Sequence, residues 1–405
     1  MKKRTVGVLL AAFFAMALTG CGDKQPQPGE VKGYDKGEEY LSIWVHSIED
    51  TEEGQCYRKS VDAFNKKYDG KYFADIEFIP RNDSGGGYSD KINASVMSGD
   101  LPDVLTVDGP NIAAYAENGI IQPLAKLTDE EKSVYLDSII QQGTYNNKLY
   151  ALGAMESSVG LYYNKDILAE AGVEVPDADH PWTWSEFTEL CDEISESGIQ
   201  PLYAGFKDTW TCLAPWNALA VSLSGSDTYS RVNLGETTFS KEYRETAEKY
   251  KALLKYIEPN PYAYSYNDAC TAFANSQAAM FPIGSYAIAQ ILSVNPDMNI
   301  DSFVFPASDN PEDNVLNSGV DLQFCVMSAC ENKEAAYEVL RFLNRDDVIQ
   351  IYLDAQNAVP CKQGDFTLTS KLDGMKEYID NNKVADFHDH HYPSEMSVDA
   401  MLQTF

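Results

Sequence analysis

The stretch Leu161–Phe187, LYYNKDILAEAGVEVPDADHPWTWSEF, decides the predicted fold. The apolar run Val159–Tyr163 around its start predicts a strand, and the polar residues after it lead into a short helix over Ile167–Ala171. Gly172 is expected to end that helix because glycine tolerates a left-handed backbone. A Pro-rich loop then precedes a second helix. The local sequence therefore predicts a strand, a helix, a loop and a second helix, and by itself it indicates no catalytic or binding function.

The start of the second helix carries a signal of its own. Thr183 or Ser185 is expected to cap it, with Glu186 in the first turn. The sequence pattern as a whole resembles the central signature of the bacterial extracellular solute-binding proteins of carbohydrate ABC importers. The pattern is YYNKD, then a helix, AGV, Pro, TW, Glu and Phe. In that family the tryptophan of the TW pair usually packs the helix start, which implies the same for Trp182 and Trp184.

Three other segments resemble signatures of the same family, in the family's order. They are SGDLPDVLTVD with YAENGIIQPL (Ser98–Leu124), ACTAFANSQAAM with FPIGSY (Ala269–Tyr286), and EAAYEVLRFLN with NAVP (Glu334–Pro360). The resemblance spans most of residues 40–400. It departs from the family pattern where Tyr286 stands in place of tryptophan and Ser276 in place of a frequent glycine.

The first part of the folded chain predicts a parallel sheet. From Tyr40 to Asp108 the pattern reads β-α-β-α-β, which builds such a sheet with covering helices, and 405 residues suit two domains. The resemblance implies an α/β fold of the periplasmic-binding-protein type, with two lobes and hinge crossings between them. The predicted first lobe comprises 40–152 and 300–343, and the predicted second lobe comprises 153–299 and 344–405.

The N-terminus predicts export and lipid anchoring. Basic residues at Lys2–Arg4 precede the apolar run Val6–Leu18, which suits a secretory signal and is too short to span a bilayer. The motif LTGC matches the bacterial lipobox, so residues 1–20 are expected to be a cleaved signal peptide and Cys21 to carry palmitate and further acyl chains. Residues 21–39 predict a flexible tether. The alternative is an ordinary signal peptide with an incidental cysteine.

The composition argues against several partners. The chain has 31 basic and 62 acidic residues and a formal net charge of −31, which excludes nucleic acid and anionic membranes as partners of the folded body. Seven cysteines follow Cys21, an odd number without a CxxC spacing. No zinc ribbon or redox motif is therefore predicted, and disulfide pairing stays open.

The segment His388-Asp389-His390-His391 is the densest group of potential metal ligands in the chain. It could bind zinc or nickel, because imidazole suits both metals. Convergence of such ligands needs a helix or a fixed loop. A solvated segment near the terminus is the favoured interpretation.

Ligands of parallel α/β sheets bind at the carboxyl ends of the strands. In the first lobe this rule points to His46 and Ser47 after the first strand, and to Asp108–Asn111 after the third. Trp44, in the first strand itself, is a further candidate. The loop after the third strand also faces the ligand in the family that the chain resembles. The alternative makes Asp108 the N-cap of the next helix, because aspartate suits both roles.

The two crossings and the second lobe supply six further candidates. By the resemblance, Glu156 and Ser157 form the hinge and the cleft floor. Glu156 would accept hydrogen bonds from sugar hydroxyls, or alternatively form a surface ion pair. Trp210 lies in a loop after a strand, and Tyr286 takes the position whose aromatic ring commonly stacks on the sugar. Asp321 and Gln323 are expected near the cleft, with a turn as the alternative.

Sugar sites need two kinds of side chain. Pyranose rings pack their C–H faces on aromatic rings, and each hydroxyl buried without a partner costs about 1–3 kcal/mol. The resemblance implies a lipid-anchored binding protein on the outer face of the cytoplasmic membrane, extracellular or periplasmic, that captures a mono- or oligosaccharide and delivers it to ABC permease subunits. It implies a monomer without catalysis, cofactor or metal ion.

Two alternatives stay open. The same fold could bind a polyamine or a peptide, which several carboxylates over aromatic rings would favour. A secreted glycoside hydrolase would need paired carboxylates, and the 62 acidic residues are too many to exclude such a pair. No Ser-His-Asp order, HExxH motif or phosphate loop is present in the sequence.

Overall fold

The computed structural model describes residues 30–35, 37–80, 87–153, 155–173, 175, 180–225, 227–320, 322–392 and 396–405. The predictions for the signal peptide, for lipidation of Cys21 and for Asp321 concern residues outside this described part. Among the described residues, no helix combines the length and the apolar character that crossing a membrane requires.

Strands and helices alternate along most of the chain. The strands are β1 Glu39–Val45, β2 Tyr72–Phe78, β3 Val104–Val107, β4 Thr144–Tyr145, β5 Lys148–Leu149, β6 Ala151–Leu152, β7 Met155–Asn164, β8 Gln200–Leu202, β9 Ala278–Gly284, β10 Ile300–Phe303, β11 Leu316–Gly319, β12 Gln323–Val326, β13 Val359–Pro360 and β14 Val384–Ala385. The α-helices are α1 Glu52–Lys67, α2 Gly87–Ser98, α3 Gly109–Glu117, α4 Asp129–Ser133, α5 Asp137–Gln142, α6 Lys165–Glu170, α7 Trp184–Glu196, α8 Leu213–Leu223, α9 Thr228–Asn233, α10 Phe239–Glu242, α11 Arg244–Leu253, α12 Tyr266–Ala274, α13 Ala287–Val294, α14 Lys333–Leu343, α15 Asp346–Gln356, α16 Lys376–Asp380 and α17 Val398–Gln403. Short 3-10 helices cover Thr209–Cys212, Pro261–Ala263, Pro311–Asp313, Ser370–Met375 and His388–His391.

The first lobe is built on a five-stranded sheet with the order β2-β1-β3-β12-β6. Strands β1, β2 and β3 are parallel, and β12 runs antiparallel to β3 and β6. This arrangement confirms the predicted β-α-β-α-β start. Helix α1 buries the apolar face that its sequence predicts, with Cys56, Val61 and Phe64 in the core.

The second lobe is built on a seven-stranded sheet with the order β14-β11-β7-β9-β8, in which β10 and β13 also pair with β7. Strand β7 is the predicted strand, and all its residues from Ser158 to Asn164 are buried. Asn164 caps α6 through its side-chain oxygen. Helix α7 begins where predicted, because Thr183 and Glu186 form a reciprocal capping box.

The predicted lobe boundaries are wrong in two stretches. Ile300–Phe303, assigned to the first lobe and to a crossing, pairs antiparallel with Leu161–Asn164 and so lies in the second sheet. Helix α15, assigned to the second lobe, buries Val348 and Tyr352 in the same apolar cluster as β1. An apolar run shows that a segment is buried, but not which of two cores it joins.

The predicted tether is wrong in its last residues. Tyr34 is buried, with its ring 5.4 Å from that of Tyr40 and 5.7 Å from that of Phe73 between centroids. Glu38 is also buried and accepts hydrogen bonds from two backbone N–H groups. One buried ring and one paired carboxylate fix this segment on the first lobe.

The chain passes between the two sheets at three neighbouring places. Strand β6 of the first sheet leads into β7 of the second, and β11 of the second sheet leads into β12 of the first. The chain returns to the second lobe between Cys361 and Leu372. Because Glu156 pairs with Val359 and Ser157 with Gly319, all three crossings meet at the start of β7.

The structure settles the open question of cysteine pairing for the described residues. The seven described cysteines are buried free thiols: Cys56, Cys191, Cys212, Cys270, Cys325, Cys330 and Cys361. Burial raises the pKa of Cys56 to about 11 and the pKa of Cys212 to about 12, because apolar surroundings disfavour the thiolate. No disulfide therefore holds the described part of the chain together.

A close backbone approach at Gly143 gives a test of this packing. A Cβ added at Gly143, just after α5, would collide with the carbonyl oxygen of Ala151 in β6. We expect Gly143→Ala to lower the free energy of unfolding by about 1–3 kcal/mol, as overpacking does. Urea denaturation measures this change, and Ser133→Ala on the exposed end of α4 serves as the control. Wild-type stability of Gly143→Ala would contradict the described contact.

Candidate functional site

A cavity of about 170 Å³ lies between the two lobes. Its first-lobe wall includes Gly109 at the start of α3 and Gln142 at the end of α5, and its second-lobe wall includes Asp386, His390 and His391. The lobes approach closely here, because a Cβ added at Gly109 would lie 3.5 Å from the imidazole of His390. This cavity is one half of the candidate ligand site.

Asp386 stands in the cavity wall between two imidazoles. Its Oδ1 lies 3.2 Å from Nδ1 of His390, and its Oδ2 lies 2.8 Å from Nε2 of His391. Burial alone would raise the pKa of Asp386, but the two histidines outweigh burial and lower that pKa to about 2. The carboxylate is thus ionised at neutral pH, although its side chain is only 10% exposed.

Aromatic rings hold both imidazoles in place. The ring of His391 stacks on Tyr229, with centroids 4.0 Å apart and planes inclined by 9°. The ring of His390 meets Phe387 edge-on at 5.0 Å. These contacts fix the two histidines, and with them the direction from which they approach the carboxylate.

The favoured prediction of a solvated segment around these histidines is wrong. His388 is buried, and its Nδ1 lies 2.9 Å from the hydroxyl of Tyr243. Asp389 accepts a 2.6 Å hydrogen bond from the side chain of Asn217 on α8. Polar residues near a terminus suggest a solvent-exposed segment. Here α8 and the residues around α11 supply hydrogen-bond partners that the local sequence does not reveal. Within the described ranges, no group of three or more His, Cys, Asp or Glu could hold a metal ion.

Glu156 lies at the first crossing, and the charge of Asp386 reaches it. Its side chain is buried, and its Oε2 accepts a 2.7 Å hydrogen bond from Ser318, whose hydroxyl also lies 3.1 Å from that of Ser158. Burial raises the pKa of Glu156 to about 7, the hydrogen bond opposes the rise, and Asp386 adds to it. The alternative of a surface ion pair is wrong because the side chain is buried. Ser157, next in β7, is half-buried.

Three half-buried aromatic rings of the second lobe form the other half of the site. Trp210 lies 5.1 Å from Tyr266 and 6.0 Å from Tyr286, and the two tyrosines are 6.2 Å apart, all between ring centroids. The sequence predicted Trp210 and Tyr286 as separate candidates, and the structure brings them together. The sequence analysis did not predict Tyr266 as a site residue, although the alternation of Tyr262, Tyr264 and Tyr266 could have indicated it.

The N-terminal end of α1 in the first lobe carries Glu53, whose charge acts on Tyr266. The carboxylate of Glu53 accepts a 2.7 Å hydrogen bond from the hydroxyl of Ser47. Burial is the main cause of the raised pKa of Tyr266, and the charge of Glu53 adds to it. Ser47 follows the predicted residue His46, whose ring stacks on Tyr88 at 4.9 Å.

The other predicted residues of the first lobe have structural contacts. Trp44 is buried, and Nζ of Lys91 lies 4.3 Å from the centre of its ring, so the ring belongs to the core and has no face open to a sugar. Asp108 caps α3 by accepting hydrogen bonds from the backbone N–H (3.2 Å) and the side chain (2.7 Å) of Asn111. The N-cap alternative for Asp108 is therefore observed. Both residues flank Gly109, which lines the cavity.

Several buried polar atoms near the cavity have no hydrogen-bond partner. In the described part of the chain, these are Nε2 of Gln142 and both polar side-chain atoms of Gln323. The carboxylate oxygens of Asp386 have no such partner beyond their two ion pairs. Gln142 lines the cavity, and Gln323 lies beside Gly143 at its edge. Buried polar groups in proteins are normally hydrogen-bonded, so these atoms are unsatisfied in the described arrangement.

Sequence comparisons connect the chain with known binding proteins. The sequence model of the family described as "Bacterial extracellular solute-binding protein" matches residues 49–350. The Multiple sugar-binding protein of Streptococcus mutans is 26% identical over 288 residues, which cover 67% of this chain and 66% of that relative. The Diacetylchitobiose binding protein DasA of Streptomyces coelicolor is 23% identical over 381 residues, covering 92% of this chain and 85% of that relative.

Solved structures share the architecture. The apo form of RafE from Streptococcus pneumoniae matches with a TM-score of 0.74 at 21% identity, over 92% of this chain and 94% of that one. RafE in complex with raffinose matches with a TM-score of 0.73 at 21% identity, over 90% of this chain and 94% of that one. These similarities confirm the predicted α/β fold with two lobes.

The raised pKa of Glu156 gives a prediction for the pH dependence of stability. The unfolded chain ionises this group near its ordinary value of 4.5, whereas the folded chain does so at about 7, so its contribution to stability is lost as the pH rises across that window. Glu156→Gln cannot ionise. Its unfolding free energy relative to wild type should therefore increase from pH 4.5 to pH 8, by up to about 3 kcal/mol.

Urea denaturation of both proteins at pH 4.5, 6 and 8 measures this increment. Glu312→Gln, an exposed change of the same chemistry, is the matched control. A constant difference between Glu156→Gln and wild type at all three pH values would show that Glu156 is not a buried, titrating carboxyl group.

Proposed function

Because this chain belongs to the bacterial extracellular solute-binding proteins, we propose that it captures a neutral mono- or oligosaccharide between its two lobes and delivers it to an ABC importer. One observation carries the proposal: polar side chains of both lobes line the cavity between them. The sugar-binding names of both relatives support the same ligand class.

The two halves of the site match the two surfaces of a sugar. Trp210 and Tyr286 offer ring faces on which pyranose C–H groups pack. The cavity wall also carries Asp386 and Gln142, residue types that hydrogen-bond hydroxyl groups. An apolar ligand would leave these groups buried and unpaired, at a cost of about 1–3 kcal/mol each.

The charges around the cavity favour a neutral ligand over a polyamine. The carboxylate of Asp386 is already paired with two imidazoles. Burial raises the pKa of Glu156, the next carboxyl group, to about 7, so its mean charge at neutral pH is smaller than that of an ordinary glutamate. A cationic ligand would compete with existing partners rather than fill a vacant anionic site.

Capture follows from the differential affinity of the ligand for closed and open forms. A ligand that contacts both lobes stabilises the arrangement in which they meet, and shifts the equilibrium only by that difference. The three adjacent crossings at the start of β7 provide the hinge. The closed form then presents both lobes to the permease subunits.

The remaining parts of the proposal concern the cell envelope. We propose that Cys21 is acylated after removal of residues 1–20, which anchors the protein to the outer face of the cytoplasmic membrane. The protein acts there as a monomer and a carrier, and it releases its sugar unchanged. Recovery of intact oligosaccharide after prolonged incubation, with no shorter products, separates this proposal from a glycoside hydrolase.

A thermal-shift screen tests the ligand class. The purified full chain in mild detergent is melted with panels of neutral sugars, polyamines and peptides, while tryptophan fluorescence is recorded. A ligand at 100 times its dissociation constant should stabilise the fold by about 2.7 kcal/mol, which raises the melting temperature measurably. A response to polyamines or peptides alone would overturn the sugar proposal.

Truncation of a stacking ring tests the site. We expect Tyr286→Ala to weaken sugar binding at least tenfold, because it removes one of the rings on which the sugar packs, whereas Tyr286→Phe should retain most of the affinity. Isothermal titration calorimetry with the sugar from the screen measures both. Tyr264→Ala, at an exposed ring outside the trio, is the matched control. Unchanged affinity in Tyr286→Ala would remove this residue from the site.

A further inference from the structure

We propose that Asp208 is a positioning residue for ligand binding, because its carboxylate joins the loop that carries Trp210 to the first turn of the helix that carries Tyr266. This inference rests on the proposed function, since it concerns two rings of the same candidate site. Asp208 acts through these two rings and is not expected to contact the sugar. It lies outside every stretch that carries a family signature.

The rings of Trp210, Tyr266 and Tyr286 lie at the edge of the second sheet that meets the first crossing. Strands β8 and β9 are parallel, so the segments that carry Trp210 and Tyr286 leave the sheet at the same edge. At that edge the backbone N–H of Ser285 donates a 2.9 Å hydrogen bond to the carbonyl of Ser158 in β7. The three ring planes are inclined to one another by 53°, 60° and 57°, so the rings form a corner rather than a flat stack. A ligand that packs into a corner requires the spacing and the angle of its walls to be held.

Asp208 supplies the hydrogen bond that connects two of these rings. Its Oδ2 accepts a 2.8 Å hydrogen bond from the backbone N–H of Tyr266, the first residue of α12. The first N–H groups of a helix have no partner within the helix, and the helix dipole favours a carboxylate beside them. Trp210 stands just after Asp208 in the same loop, and its ring lies 5.1 Å from that of Tyr266 between centroids. The bond therefore helps to set the spacing of the two rings.

Helix α12 does not depend on Asp208 for its start. Ser265 and Asp268 form a reciprocal capping box there. The bond from Asp208 is additional to this box and comes from a segment 58 residues away in the sequence. Its loss is therefore expected to change the relative position of two segments rather than the formation of the helix.

The rest of the loop is fixed by other residues. The carboxylate of Glu258 accepts 2.8 Å hydrogen bonds from the backbone N–H groups of Ala204 and Gly205. The side-chain amide of Gln403 in α17 donates to the next two carbonyl oxygens, over 2.8 and 3.0 Å. Removal of the Asp208 side chain should therefore loosen the link between the two rings without unfolding the loop.

Calorimetry on the full chain tests the proposal with D-glucose, D-galactose, lactose and maltotriose, and with any neutral sugar that responds in the thermal-shift screen. We expect Asp208→Ala to bind the sugar about fivefold more weakly or worse, because the rings are no longer held before binding. Asp208→Asn keeps an oxygen that can accept the N–H of Tyr266, so its affinity should stay within about twofold of wild type. Asp208→Glu keeps the charge but displaces it by one methylene group, so it should weaken binding about threefold or more. This last variant carries the test if Asp208→Ala does not fold.

Two comparisons separate positioning from a purely structural role. In a Tyr266→Ala background, Asp208→Ala should weaken binding by less than about twofold, because the ring that it positions is already absent. Asp268→Ala removes the capping box of the same helix and is the matched control. It should lower the melting temperature while its affinity stays within about twofold of wild type. Melting temperatures of all variants report on folding.

The outcomes distinguish this inference from the proposed function. Wild-type affinity in Asp208→Ala or in Asp208→Glu would overturn the role of Asp208 and leave the sugar-capture function standing. The same holds if Asp208→Ala weakens binding equally with and without the Tyr266 ring, if Asp208→Asn binds as weakly as Asp208→Ala, or if Asp268→Ala loses as much affinity. Failure of wild type to bind any neutral sugar in the probe set or the thermal-shift screen would overturn both.

Discussion

Strand β7 is the constraint on which the rest of the structure depends. Its residues from Ser158 to Asn164 are buried, so their backbone N–H and C=O groups must pair within the sheet. Strands β9, β10 and β11 pair with this stretch, and β13 pairs with Met155 and Glu156 at the start of β7. Of these, β11 and β13 come from segments that connect the lobes. The three crossings are thereby gathered at one end of a single strand. The hinge is a consequence of sheet pairing and needs no separate device.

The same convergence sets the electrostatics of the cleft. It brings together two carboxyl groups, Glu156 and Asp386, close enough for the charge of one to act on the other. Their surroundings push their pKa values in opposite directions, because burial dominates at Glu156 while two imidazoles dominate at Asp386. One group is thus kept near neutrality and the other ionised, within a single small region. Because Glu156 is partly protonated at neutral pH, the two carboxyl groups together carry less negative charge than two ordinary carboxylates would.

Sequence alone predicted what depends on neighbouring residues. The capping box of Thr183 and Glu186 and the β-α-β-α-β start are local patterns, and both are present. Trp210 and Tyr286 could be nominated individually, but their contact joins residues far apart in the chain. The pairing of Asp386 with its histidines could not be predicted. It depends on the position of the 3-10 helix His388–His391, which contacts α8, α9 and α3, all far away in the sequence. The assignment of β10 to the first lobe was wrong for a similar reason, because an apolar run can be buried in either core.

The free thiols carry a consequence for the life of the protein outside the cell. With all seven described cysteines buried and unpaired, the described fold needs no oxidative maturation, and a disulfide isomerase would have no substrate in it. The raised pKa values of Cys56 and Cys212 keep these sulfurs protonated and poorly nucleophilic, which protects them from oxidants and from thiol exchange. The described body should therefore assemble identically in aerated and oxygen-free surroundings, with its stability independent of the ambient redox potential.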